Sequence, residues 1–127
     1  MGRTAAQLTP SEKEMYRRGV RRRDQMENRA RQDRQEHALR VARRAAELLK
    51  ASFGATRVLL FGSLATRAWF HDRSDVDLAV EGLEARDFWR ADCRLEEIGD
   101  GFEIDLVDLR AAPRGLNEAI RRDGLEL

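Results

Sequence analysis

The chain has 127 residues, enough for one domain of ordinary size, and its charged fraction of 37% stands well above the roughly 25% usual in globular proteins. A single cysteine, Cys93, excludes an internal disulfide, and Cys93, His37 and His71 are together too few for a structural zinc site. No run approaches the roughly 18 apolar residues of a membrane span, and the start of the chain lacks the apolar core of a secretion signal, so a cytoplasmic protein that avoids membranes is expected.

Residues 1–8 carry no pattern and are expected to be a flexible tail. Thr9-Pro10-Ser11-Glu12 then reads as a helix start, with Thr9 as cap, Pro10 in the first turn and Glu12 able to reach back. No proline follows as far as Ser52, and Gly54 reads as the stop. Within this stretch Ala38, Val41, Ala42, Ala45, Leu48 and Leu49 form an apolar stripe at helical spacing. Residues 9–37 show only scattered apolar groups such as Met15, Tyr16, Val20 and Met26 among many arginines, and read as a charged helical extension. A continuous helix of about 43 residues would be about 65 Å long, so its far half must project, bend back or meet a partner. Residues 1–50 hold 14 Lys and Arg against 7 Asp and Glu, although the whole chain carries only +1. Such a basic arm, with its run Arg21-Arg22-Arg23, suits either nucleic acid or a solvated helix face with intrahelical ion pairs.

Past Gly54 the period changes. Thr56–Phe61 reads as a strand, Ser63–Arg67 as one helical turn, and Trp69–Ser74 as a loop. Asp75–Val80 reads as a second strand, Glu84–Ile98 as a helix with Phe88, Ala91, Leu95 and Ile98 on one face, and Phe102–Leu109 as a third strand. Pro113–Arg122 reads as a short helix and Gly124–Leu127 as an extended tail. The expected class is α/β (α+β), a small mixed β-sheet backed by helices on one face, with a long N-terminal helical extension before a domain at 38–127.

Alternation along the strands points to the chemistry. In Asp75-Val76-Asp77-Leu78-Ala79-Val80 the two acids share a face, about 7 Å apart, while Val76, Leu78 and Val80 point the other way. In the third strand Glu103, Asp105 and Val107 share a face, so if the strands are neighbours Asp105 approaches Asp75 and Asp77. Three carboxylates in one place repel, and hard divalent cations, Mg²⁺ first, offset that cost. Gly62-Ser63, directly after a strand, supplies the complement: backbone N–H groups and a hydroxyl that suit phosphate. Phosphate on one side and two metal ions on the other describe phosphoryl or nucleotidyl transfer.

The ordered set of LLFGSLA, SDVDLAV and EIDLVDL resembles the nucleotidyltransferase superfamily that includes DNA polymerase beta. Within it, residues from about 40 to 127 resemble the minimal nucleotidyltransferase (MNT) domains, down to the ending Arg122-Asp123-Gly124-Leu125-Glu126-Leu127. The resemblance implies a polymerase-beta-like fold, with Asp75, Asp77 and Asp105 as catalytic residues holding two Mg²⁺ ions. It implies that Gly62 and Ser63 hold the phosphates of ATP, with Arg67, Arg73 and Ser74 as further nucleotide-binding positions. Asp108 falls on the opposite face from Asp105 and reads as peripheral. Leu64 stands where many relatives carry arginine, and Thr66-Arg67 where Arg-Gly is frequent. The resemblance also implies an antitoxin that assembles with a HEPN-type toxin and transfers AMP to a tyrosine on it, with the N-terminal helix as a candidate docking element. The alternatives are an antitoxin that only masks its partner, or a transferase acting on RNA or a small-molecule hydroxyl.

Five further positions have simpler readings. Trp69 and Phe70 either stack on a base or partner or anchor their loop, His71 is a polar loop residue, Cys93 a small packing residue, and Tyr16 a helix-surface aromatic.

Overall fold

The computed structural model of the chain describes residues 8–66 and 75–127. The flexible-tail reading of residues 1–7 and the loop reading of 69–74 lie outside the described residues.

The first helix, α1, runs from Pro10 to Phe53. It opens on the reciprocal capping box its sequence announces. The Glu12 backbone N–H donates to Thr9 Oγ1 at 3.1 Å, and the Thr9 N–H donates to Glu12 Oε2 at 3.4 Å. It ends at Gly54, which takes a φ of 73°, the left-handed conformation that glycine adopts without strain. The chain forms two compact units, residues 1–33 and 34–127, and α1 belongs to both. Every α1 residue from Arg21 to Asp33 is exposed, whereas Ala38, Leu39, Val41, Ala42, Ala45, Ala46 and Leu49 are buried.

The second unit holds a four-stranded mixed sheet in the order β3-β2-β1-β4. Its strands are β1 (Arg57–Phe61), β2 (Val76–Glu81), β3 (Ile104–Asp108) and β4 (Leu125–Glu126). The helices are α2 (Ser63–Thr66), α3 (Ala85–Ile98) and α4 (Arg114–Asp123). β1 pairs antiparallel with β2 and β4, while β2 pairs parallel with β3. A parallel pair needs a crossover, and α3 provides it. The residues Gly124–Leu127, expected to be an extended tail, contain a fourth strand: Leu125 and Glu126 pair with Leu60 and Leu59, and the Leu127 N–H donates to the Val58 carbonyl at 2.9 Å. This turns β1 into an interior strand and covers its edge.

The sheet has two covered faces rather than the one expected. Val58, Leu60, Val76, Leu78, Val80 and Ile104 face the main core, with the apolar stripe of α1 and with Ala91 and Leu95 of α3. On the other face Leu59 and Ala79 meet Leu109 and Ile120 of α4 in a second, smaller core. Asn117 fixes α4 there by donating from Nδ2 to the Leu109 carbonyl at 2.6 Å. Cys93, expected to pack, is exposed, because it lies off the Phe88–Ala91–Leu95 face of α3.

Leu64 explains its own departure from the arginine of its relatives. Its side chain is 0% exposed within the main core, so α2 is anchored through it. Leu64→Ala is expected to cost about 2–5 kcal/mol in urea unfolding. A loss below about 1 kcal/mol would mean that α2 is not held by this contact.

Candidate active site

The site forms at one end of the β1–β2–β3 ladder. β1 and β2 place Phe61 opposite Asp77, and the parallel register of β2 and β3 places Asp77 opposite Asp105. Period-two alternation puts both acids on one face, away from the main core. Asp75 stands one residue before β2 and shares that alternation. The structure thus brings Asp77 and Asp105 into direct side-chain contact, with Asp75 close enough to act on Asp77 through its charge.

The Asp77 carboxyl is pushed up from its usual 3.8 to about 6, first by burial and then by the charges of Asp105 and Asp75 and a hydrogen bond with Asp105. Below that value Asp77 keeps a proton and can donate it to Asp105; above it, two neighbouring carboxylates face one another.

Gly62 adjoins this pair, at a φ of 75°. A side chain there would place its first carbon 2.3 Å from Asp77 Oδ2. The absent side chain at Gly62 is therefore the space that the Asp77 carboxylate occupies. Ser63 opens α2, where the Thr66 N–H donates to the Gly62 carbonyl at 3.4 Å and the Thr66 hydroxyl to the Ser63 carbonyl at 3.2 Å. These bonds fold the Gly-Ser segment into a tight turn, directly beside the acids.

A cavity of about 420 Å³ flanks the turn, lined by Phe61, Gly62, Ser63 and Thr66 and, from α4, by Ala119 and Ile120. Its size falls within the roughly 300–1,000 Å³ typical of small-molecule sites. Sequence reasoning missed the α4 wall. The signal was present as Leu116, Ala119 and Ile120 at helical spacing, but nothing local says which face of the sheet that helix covers.

Asp108 is peripheral, as its register predicts. It pairs with Val80 across the strands and accepts from the Arg110 backbone N–H at 3.0 Å, so it shapes the turn after β3. Arg67, Arg73, Ser74 and His71 lie outside the described residues. Among the described residues no three Asp, Glu, His or Cys side chains converge into a ready-made metal cage. The donor set still fits Mg²⁺, which takes one or two carboxylates and completes its shell with water and substrate phosphate. Asp77 is raised by burial first and then by the charges of Asp105 and Asp75, and a bound cation would relieve the second of these.

Residues 44–127 match the family of polymerase beta nucleotidyltransferases, and the chain belongs to that family. Its fold is similar to that of a toxin-antitoxin crystal structure with AMP-PNP, at 30% identity and a TM-score of 0.54, over 63% of this chain and 66% of that one. Two mutant forms of the toxin-antitoxin MntA-HpeT are also similar. One has 26% identity and a TM-score of 0.56, over 67% of this chain and 70% of that one. The other has 29% identity and a TM-score of 0.53, over 64% and 66%. The chain thus spans just under two thirds of the length of the first of these neighbours. No curated protein matches it.

The raised Asp77 value has a sign that stability measurements can read. The folded state holds this proton more tightly than the unfolded chain, so the stabilisation it brings is complete below about 3.8 and is lost as pH rises through about 6. In EDTA, Asp77→Asn is therefore expected to melt higher than the parent at pH 7, with the gap closing near pH 4. An equal gap at both values would show that the carboxylate is not under strain.

Proposed function

We propose that the protein is a Mg²⁺-dependent nucleotidyltransferase that transfers AMP from ATP to a tyrosine hydroxyl on a HEPN-type toxin, and so acts as an antitoxin in complex with it. The observation that carries the transferase reading is the register of β2 on β3, which sets Asp77 against Asp105 beside the Gly62-Ser63 turn. The antitoxin reading is supported by the likeness to the toxin-antitoxin structures, one of them with AMP-PNP. In this reading residues 38–127 are the catalytic domain and residues 9–37 an appended helical element.

In this reading Asp75 and Asp77 would hold the metal ions together with Asp105, and Mg²⁺ there would supply positive charge to offset that of the triphosphate. Gly62 and Ser63 present backbone N–H groups and a hydroxyl to the terminal phosphates, with Arg67, Arg73 and Ser74 as additional cationic and polar contacts. The cavity beside the turn leaves room for the nucleotide against the apolar wall of α4. The acceptor oxygen forms a bond to the α-phosphorus, the bond from that phosphorus to the β-phosphate bridge breaks, and pyrophosphate leaves. Asp105 takes the hydroxyl proton.

The test is transfer of radiolabelled AMP from ATP to a co-expressed HEPN-type partner. Asp75→Asn plus Asp77→Asn is expected to reduce labelling at least a hundredfold, and EDTA to do the same to the parent. Equal labelling by the double variant would overturn the site assignment. A double variant that no longer labels its partner yet still neutralises it would replace catalysis with masking.

A further inference from the structure

A second charged feature lies on the first compact unit. Within α1, Arg18, Arg21, Arg22, Gln25, Arg29 and Gln32 are all exposed. At about 100° per residue they fall within an arc of roughly 100° on the helix. No acid enters that arc between Arg18 and Gln32; Asp24 and Glu27 point away from it. Arg18 and Arg21 share a single carboxylate, Glu14, at 3.3 and 3.4 Å. Arg22 and Arg29 make no ion pair among the described residues. Gln25 and Gln32 lie beside them on the same arc.

A helix that is merely solvated gains from opposite charges at i,i+4. Past the Glu14–Arg18 pair the arc lacks this pattern: Arg18 and Arg22 are like charges one turn apart, a pair that costs a few tenths of a kcal/mol in an isolated helix. The arrangement becomes favourable when the opposing surface is a polyanion. Interleaved arginine and glutamine narrow the choice further. Arginine forks match phosphate and guanine edges, and the glutamine amide matches adenine.

We infer that this face of α1 is a docking surface for duplex DNA, with the helix entering the major groove. A helix of about 10–12 Å diameter suits a groove about 12 Å wide, and Arg18 to Gln32 covers about 21 Å. The deep, narrow major groove of duplex RNA does not admit a helix. A membrane surface requires an apolar face opposite the basic one, and that side holds Asp24, Glu27 and Arg31. A coiled-coil partner requires an apolar seam over several turns, and the seam through Tyr16 and Val20 stops at Asp24 and Glu27.

The experiment is fluorescence anisotropy of the full-length protein with a labelled mixed-sequence DNA duplex, across about 50–200 mM salt. With four arginines on phosphate the log–log salt slope is expected at about −3 to −4. Arg22→Gln plus Arg29→Gln is expected to weaken binding at least tenfold and to reduce the slope by about 2, while circular dichroism remains that of the parent. Arg22→Lys plus Arg29→Lys is expected to keep most of the affinity. Arg23→Gln plus Arg31→Gln, which removes the same charge from other faces, is expected to stay within twofold. Equal loss from both glutamine pairs would overturn the assignment, as would equal affinity for duplex RNA of the same length or for anionic vesicles. So would loss of a co-purifying protein partner from the Arg22/Arg29 variant with DNA affinity unchanged.

Discussion

Two carboxylates held side by side at the edge of a hydrophobic sheet set the terms for the rest of the second unit. Asp77 and Asp105 meet because β2 and β3 pair in parallel at a register that allows no slip. A shift of one residue would turn Val76 and Leu78 outward and bury the acids instead. Both ends of that register are pinned. The crossover helix α3 buries Ala91 and Leu95 behind the sheet, and Leu109, directly after β3, is locked beneath α4. The two cores hold the acids together against their repulsion, which adds to burial in raising the Asp77 carboxyl. A site of this kind is preorganised for cations before any arrive.

The acids and the turn also depend on each other sterically. Asp77 fills the space that a side chain at position 62 would need, so glycine there is a consequence of where the carboxylate lies. The same residue takes the positive φ that starts the turn toward Ser63. Leu64, one residue further on, is the hydrophobic pin that holds the turn down. Across Gly62-Ser63-Leu64, one position yields room, one offers a hydroxyl and one anchors. A basic residue at position 64 would have to leave the core to reach phosphate, and α2 would lose its anchor.

Much of this was legible because alternation is a strong code. Period two showed that Asp75 and Asp77 share a face and left Asp105 dependent on which strands are neighbours, while the Thr9–Glu12 box and the Gly54 stop were readable from local hydrogen-bonding chemistry. What escaped depends on distant partners. β4 has two residues and no pattern of its own, and exists because β1 offers an open edge. The second core was hidden because Leu59 and Ala79 occupy positions that alternation alone assigns to an open face. Cys93 was misjudged for a related reason: composition favours burying cysteine, but the helix face decides, and Ala91 and Leu95 had already taken it.

The charge distribution divides the molecule into two chemistries that could not share one surface. Asp77 and Asp105, with Asp75 nearby, concentrate negative charge at one end of the sheet. The arc on α1 has the opposite character: from Arg18 to Gln32 it holds arginines and no acid, with Glu14 one turn before it. A near-neutral chain can therefore carry one strongly acidic site and one strongly basic face. Its net charge of +1 reflects their cancellation rather than the absence of either.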